Sequence, residues 1–370
     1  MSATAVLIAR RYARARDRFV RAASAAGARL ADALVLPDRT GPDGEALAVD
    51  VAWLEPAPTV RDWMVVVSGT HGIEGYGGSA LQSTWLERGG AALARDCGVL
   101  MIHALNPWGM AWWSRADHEG IDLNRNFLQF PARVDNPGYA LLHPRVCAPE
   151  VDSLTQAALA ELFEDFVGAY GAQGLTNALI GPQSTHPDGM NFTGHAPSWS
   201  RRLLEASLAC LLEREPRRVL LVDLHAGVAP RGEIAVLHFP ADEQDAARAR
   251  RLLDLGRPGL QFGAQGLANY SGLLVQGAQR LLGDRVCAVV AELGTVDRQG
   301  IRQALRLDRW LRHHGDPDRD LRIRDQLLEV FCPIDPDWER DVLQRGLELL
   351  DLGRAGLLGR WDAGSSGSQS

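Results

Sequence analysis

His71 and Glu74 stand at H-x-x-E spacing in the run Val-Ser-Gly-Thr-His-Gly-Ile-Glu-Gly, Val67 to Gly75, directly after an apolar stretch. An imidazole and a carboxylate both suit Zn²⁺. Two ligands from one strand-to-helix turn need one distant third ligand to leave a position for a water, which the metal acidifies. Four residues of pattern recur by chance in a chain of 370 residues, so the pair gains meaning only from what lies downstream. The segment Val219 to Gly227, Val-Leu-Leu-Val-Asp-Leu-His-Ala-Gly, delivers His225 from the tip of a second apolar strand as the natural third ligand. Asp223, two residues earlier, is placed to orient a ligand imidazole. Without the H-x-x-E pair, His225 would read as a core histidine beside a capping aspartate.

Glu292 interrupts the apolar run Val-Val-Ala-Glu-Leu-Gly-Thr, and an acid there is costly to bury unless it is paired or functional. Beside a metal it suits a general base that takes a proton from water and passes it to a leaving amine. Away from one it would be an ion-pair partner for an arginine. The segment Leu105 to Phe127 adds donors: Arg115 and Arg125, with Asn124 between them and the turn at Asn106 to Gly109. Arginine can stabilise an oxyanion or grip a carboxylate bidentately; the ordinary alternative is surface ion pairing.

The elements that must hold these residues alternate. Strands are expected at Leu47 to Trp53, Met64 to Gly69, Val99 to Ala104, Val219 to His225, Ile234 to Phe239 and Cys287 to Leu293. Helices are expected at Ala13 to Ala26, Gly78 to Arg88, Ser153 to Tyr170, Ser198 to Glu213 and Asp242 to Leu255. Pro37 to Glu45 reads as a turn-rich connector. This predicts an α/β fold, with a mixed, mostly parallel central sheet and helices on both faces, in which His71, His225 and Glu292 gather at strand ends. Residues 1–362 are read as one catalytic domain, with an N-terminal helical segment to about residue 36 and a helical extension over about 300–362 broken at Pro317 and Pro333. Gly364 to Ser370 is read as a flexible tail.

Composition narrows the function. The net charge of -7 argues against nucleic acid, although Arg10 to Arg29 is locally basic. All 39 basic residues are arginine, which excludes Schiff-base lysine chemistry and a lysine-bearing phosphate loop. Five scattered cysteines without a C-x-x-C pair, no apolar run of membrane-spanning length and no signal-like N-terminus lead to the expectation of a cytoplasmic protein without membrane contact. A serine-hydrolase elbow is absent from any strand-to-helix junction. Trp108, Trp112 and Trp113 are assigned to packing, His186 and Asp188 to a turn, and His313 and His314 to a helix C-terminus.

His71-x-x-Glu74, the Asn-Pro-x-Gly turn, Arg115, the Asp-x-Asn-Arg-Asn run from Asp122 to Asn126, His225 and Glu292 occur in the order typical of zinc carboxypeptidases. Over about Arg61 to Thr295 the chain resembles that carboxypeptidase A-like superfamily. The SGTHGIEGYGGSALQ block, the DLNRNF run and the AELGT strand look, across nearly the whole chain, like a bacterial branch catalogued as a domain of unknown function. The resemblance implies one Zn²⁺ on His71, Glu74 and His225, Glu292 as base and Arg115 polarising the scissile carbonyl. It also implies Asn124 and Arg125 on a terminal carboxylate, and a phenol from Tyr270 on the substrate. Ile73 departs from the arginine often found between the first two ligands of digestive carboxypeptidases, which removes one substrate contact. Asp-Leu-His and Asp-Leu-Asn-Arg also occur in the related succinylglutamate desuccinylase and aspartoacylase group. The expectation is therefore a zinc hydrolase that cleaves an amide bond beside a free carboxylate in a small peptide. The alternatives are an acylase acting on N-acyl amino acids and a non-catalytic binding protein that keeps the site.

Overall fold

The computed structural model describes residues 7–32, 34–150, 153–240, 242–254, 260–262, 270–296, 298–316 and 320–361. In chain order the elements begin with α1 (Tyr12–Ala25), β1 (Arg29–Leu30), β2 (Leu34–Thr40), β3 (Ala46–Leu54), β4 (Asp62–Ser68), α2 (Gly75–Gly89), β5 (Gly98–His103) and α3 (Pro107–Ala111). They continue with α4 (Pro137–Val146), α5 (Ser153–Ile180), α6 (Trp199–Leu212), β6 (Arg218–Gly227), β7 (Ile234–His238), α7 (Glu243–Leu253) and β8 (Leu260–Phe262). The last are α8 (Leu274–Leu282), β9 (Val286–Gly294), α9 (Arg298–His314), α10 (Leu321–Phe331) and α11 (Pro336–Gly359).

The strands form one sheet in the order β1-β3-β5-β4-β6-β9-β7-β8, with β2 also on β3. Its centre, β5-β4-β6-β9, is parallel; β3 and β7 flank it antiparallel. The fold is therefore α/β with a mixed, mostly parallel sheet. The central strands are valine- and leucine-rich and buried along their length, as strands covered on both faces must be. On one face α1, α2, α7 and α9–α11 enclose a core that includes Phe19, Tyr76, Trp85, Val289 and Trp338; on the other, α6 and α8 cover Val65, Leu221, Leu274 and Val290. α1 shows how the helices seat: Tyr12, Ala15, Phe19, Ala22 and Ala23 recur at helical spacing and are all buried, while Arg14 and Arg21 face outward and Arg16 pairs with the buried Asp50 of β3. A third, smaller core lies between α4 and α5 around Tyr139 and Phe166.

Three expectations are corrected. The connector at Pro37 to Glu45 is half strand: β2 runs through Pro37 to Thr40 at the sheet margin, where its register against β3 breaks between Val35 and Thr40 and a residue without an N–H is tolerated. The helix expected to stop at Tyr170 continues to Ile180 across a break at Gly171, whose φ of 74° is left-handed. α3, α4 and α8 were not anticipated. The first two carried a readable signal, since Asn106-Pro107 and Asn136-Pro137 each place a capping asparagine before a first-turn proline. The tail from Gly364 lies outside the described residues. No described helix is long and apolar enough to cross a membrane.

Candidate metal centre and substrate cavity

The parallel strands β4, β6 and β9 end at one edge of the sheet, and that edge carries the polar residues. Register aligns Val67 with Asp223 and His225 with Glu292, so the imidazole and the acid stand side by side on neighbouring strands. Beyond β4 the chain turns at Gly69, with φ of 73°, and folds across the tip of β6, where Thr70 Oγ1 donates to Asp223 Oδ1 at 2.7 Å. Glu74 lies just before α2, where the helix N-terminus favours a carboxylate. Gly72 permits a close approach, because a Cβ there would lie 2.0 Å from the carbonyl carbon of Gly109. The segment after α3 docks onto this turn through Ile73 N to Ser114 O at 3.0 Å and Gly72 N to Arg115 O at 3.3 Å. Asp308 of α9 accepts from Arg115 N at 2.8 Å and fixes the segment from the other side.

His71, Glu74 and His225 converge, with their ligand atoms all within 4.8 Å of one another and all three residues buried. His71 Nδ1 lies 2.9 Å from Glu74 Oε1, and His225 Nδ1 lies 3.1 Å from Glu74 Oε2 and 3.2 Å from His71 Nδ1. The opposite nitrogens are engaged elsewhere: His71 Nε2 is 2.9 Å from Asp122 Oδ1 and His225 Nε2 is 2.8 Å from Asp223 Oδ2. Those carboxylates hold each Nε2 as the donor and turn each Nδ1 lone pair, with the Glu74 oxygens, to a common point. Such a donor set calls for a cation, and two imidazoles with one carboxylate suit zinc. For His225, burial works against the charged ring, but Asp223 and Glu74 outweigh it and raise its pKa well above the usual value. Burial likewise opposes ionisation of Glu74, yet His71 and His225 hold its carboxyl far below the ordinary range. Metal uptake would therefore release a proton.

Arg115 bridges this candidate donor set and the rest of the cavity. Its guanidinium pairs with Asp122 Oδ2, and its Nε lies 3.6 Å from Glu74 Oε1. Burial would lower its pKa, but Asp122 and Glu74 raise it, and the side chain stays charged. Asp122 is buried too, and Arg115, Arg125 and His71 overcome that burial to hold it well below the usual carboxylate range. Glu292 differs from both other acids. Its one hydrogen bond is from Val228 N, at 3.5 Å, and burial, with the charge of Glu74 adding to it against the histidines, pushes its pKa up to about 7. A carboxylate poised near neutrality beside a candidate metal-donor set can take up and return a proton.

Asn124 and Arg125 lie in a short 3-10 turn capped by Asp122, which accepts Asn124 N at 3.0 Å. Asn124 Oδ1 accepts Leu274 N at the start of α8 at 2.9 Å, tying that helix to the site. Arg125 donates to the carbonyls of Asn124 and Ile180 at 2.8 and 3.0 Å, while its buried Nε has no hydrogen-bond partner. The Tyr270 ring covers its guanidinium at 4.6 Å. All eight residues singled out from the sequence, His71, Glu74, Arg115, Asn124, Arg125, His225, Tyr270 and Glu292, line one cavity of about 390 Å³. The remainder of its wall is largely apolar, including Leu175, Leu179, Val228, Phe239 and Ile301. Asn126 lies behind the cavity; its amide holds Thr193 O, Ala196 O and Ser198 N in place.

Asp122 is the residue whose importance sequence reasoning missed. It lay inside the quoted Asp-x-Asn-Arg-Asn run, but only the fold shows one carboxylate shared by His71 and Arg115. Asp308 had no local signal, since its partner is a backbone N–H 193 positions away. Trp108 and Trp112 stack on each other and on Arg312 and Arg324 outside the cavity wall. Asp188 pairs with His143 and Arg309, and His186 stacks on His143, also outside that wall.

A family model described as "Protein of unknown function (DUF2817)" matches residues 8–345, and the chain belongs to that family. No curated protein matches it. Among solved structures, bovine thrombin-activatable fibrinolysis inhibitor, in complex with tick carboxypeptidase inhibitor, is similar with a TM-score of 0.53 at 11% identity, over 94% of this chain and 96% of that one. Carboxypeptidase A from Helicoverpa armigera gives 0.41 at 11%, over 80% and 68%. Succinylglutamate desuccinylase from Chromobacterium violaceum gives 0.36 at 16%, over 86% and 74%. The first of these establishes a carboxypeptidase-like fold.

Proposed function

For this member of the DUF2817 family we propose a zinc-dependent hydrolase, metallocarboxypeptidase-like, that cleaves an amide bond next to a free carboxylate. The observation that carries the reading is the convergence of two Nδ1 lone pairs and a carboxylate on one point, with a fourth, near-neutral acid on the adjacent strand. His71, Glu74 and His225 would hold one Zn²⁺, which when bound supplies acidification of a water and polarisation of the carbonyl. Glu292 takes the proton from the attacking water and returns it to the departing nitrogen. Arg115 donates to the carbonyl oxygen as negative charge develops there, and Asp122 keeps the guanidinium charged and aimed. Arg125 and Asn124 bind the substrate carboxylate, the unpartnered Nε of Arg125 being one donor in waiting. Tyr270, stacked on Arg125, offers its phenol to the substrate, and burial keeps that phenol protonated.

The wall favours an apolar group next to the scissile bond. One observation supports the second reading, amidohydrolysis of N-acyl amino acids. Val167, Leu175, Leu179, Ile180, Arg302 and Leu305 line both this cavity and a neighbouring one of about 890 Å³ between α5 and α9, so an acyl chain has room to extend. The catalytic unit is taken as residues 1–362, and the scattered, odd cysteines favour the cytoplasm as its compartment.

The test compares zinc-loaded protein on blocked dipeptides and on N-acyl amino acids of increasing chain length, each as free acid and as methyl ester. Hydrolysis confined to the free acids supports the reading, and the better series selects between its two forms. Hydrolysis of acid and ester alike would remove the carboxylate from it.

A further inference from the structure

On the opposite face of the sheet from Glu292, and further back along the same strand, three buried side chains converge that the hydrolytic site does not use. His238 ends β7 opposite Val289, Cys287 follows the first residue of β9, and Asp245 sits in the first turn of α7. Cys287, Val289 and Ala291 pack into the core beneath α7 and α11, whereas Ala288 and Val290 pack on the other face with α8. His238, Asp245 and Cys287 are 2%, 6% and 0% exposed, and their ligand atoms lie within 4.8 Å of one another.

The histidine is the informative member. Its Nε2 lies 3.1 Å from Asp245 Oδ2, yet neither ring nitrogen makes a hydrogen bond, because the contact is close but misdirected. A fully buried imidazole without a hydrogen bond on either nitrogen is exceptional and calls for an explanation, an ion among them. Two ligands of a common ion meet in that way: about 3 to 4 Å apart, each directed at the ion rather than at the other. The carboxylate is already braced from outside, with Gln279 Nε2 3.4 Å from Oδ2 and Arg248 Nη1 3.6 Å from Oδ1. Gln279 also donates to Phe239 O at 3.2 Å, and Asp242 caps the turn by accepting Asp245 N at 2.8 Å.

We propose that His238, Asp245 and Cys287 form a second, structural site for a divalent ion of the zinc type, separate from the His71, Glu74 and His225 centre. An imidazole, a carboxylate and a sulfur are a donor set for zinc or cobalt rather than for magnesium or calcium. On binding, the Cys287 thiol gives its proton to solvent, and the thiolate and carboxylate together balance the two positive charges. The ion ties the last residue of β7 and the start of β9 to the first turn of α7. Closing the three donors onto it requires a movement of no more than about 1 Å.

Cobalt distinguishes the two centres, since only the proposed one contains sulfur. Full-length Cys210→Ser protein, which lacks the exposed thiol, is stripped of metal and titrated with Co²⁺ while bound ions are counted and the thiolate-to-cobalt charge-transfer absorption is recorded. Two ions per chain with that absorption are expected. Adding Cys287→Ser should remove the absorption and one ion; adding His71→Ala should remove one ion and leave the absorption. Failure of the hydrolytic centre to bind metal would still leave one ion with the absorption. Saturation without the absorption overturns the proposal, as does its persistence in the Cys287→Ser protein. The parent protein decides the first point even if that variant does not fold.

Discussion

Replacing Asp122 by asparagine tests the coupling between metal binding and Arg115. Asp122 Oδ1 serves His71 Nε2 at 2.9 Å and Asn124 N at 3.0 Å, while Oδ2 pairs with the Arg115 guanidinium. Asparagine keeps the volume and one acceptor but turns an N–H₂ group toward Arg115, so two donors face each other. Loss of the charge behind a ligand histidine typically weakens metal affinity about 10- to 100-fold, or about 1.4–2.7 kcal/mol. Saturating zinc repairs that part only. A misdirected oxyanion donor should still lower the rate by about 10²–10³. The variant also leaves a buried guanidinium with only Glu74, at 3.6 Å, which should destabilise the metal-free protein by up to about 3–5 kcal/mol. The folded-state pKa of Asp122 lies well below its ordinary value. Its stabilisation is therefore complete above the ordinary carboxylate range and is lost as pH falls through the lower value, so the deficit of the variant should shrink in acid. Zinc titration against a competing chelator, rates at saturating zinc and denaturant melts from pH 3 to 7 measure the three effects. A zinc affinity within about twofold of the parent, together with full activity, would refute the shared-carboxylate argument.

Glu292 in the metal-free protein should titrate near 7, and more acidic once a cation binds beside it; carboxyl chemical shifts read both, and an ordinary value in the apo protein would contradict the burial argument. Because that pKa is raised on folding, its contribution to stability is full below the unfolded value and lost as pH climbs through about 7, so Glu292→Gln should gain stability relative to the parent between pH 5 and 8. Gly72→Ala should destabilise by about 1–3 kcal/mol or more and weaken zinc binding, because the new methyl meets the Gly109 carbonyl carbon at 2.0 Å; an unchanged melting temperature would show that the turn can yield. Arg125→Ala should raise KM for free-acid substrates by roughly 10- to 100-fold, equivalent to about 1.5–3 kcal/mol for a hydrogen bond to a charged group, while the KM for an ester is little altered.

The sheet was readable because its central strands are continuous apolar runs interrupted by a few polar residues at their ends. His71, His225 and Glu292 could be singled out for that reason, and strand register then sets His225 beside Glu292. The supporting contacts were less legible. Asp122 serves two residues 51 and seven positions away, and Asp308 reaches Arg115 across 193, distances at which spacing carries no information. Tyr270 was suggested by the resemblance alone, and only the fold shows its ring stacked on Arg125. The cavity wall was equally hidden, since α5 supplies Leu175 and Leu179 from beyond the break at Gly171, in a stretch that the sequence reading left outside its helix. Local pattern thus singled out the candidate ligands and the candidate base, and tertiary packing decided what surrounds them.

The most direct measurement is a parallel assay of zinc-reconstituted parent protein and Glu292→Gln on an apolar blocked dipeptide and an apolar N-acyl amino acid, both as free acids, with metal content determined on the same samples. The account predicts one zinc at the His71, Glu74 and His225 centre in both, hydrolysis by the parent that a chelator abolishes, and a rate about 10²–10⁴ lower in the variant. Equal rates with equal metal content, or no binding of zinc by those three residues, would contradict it.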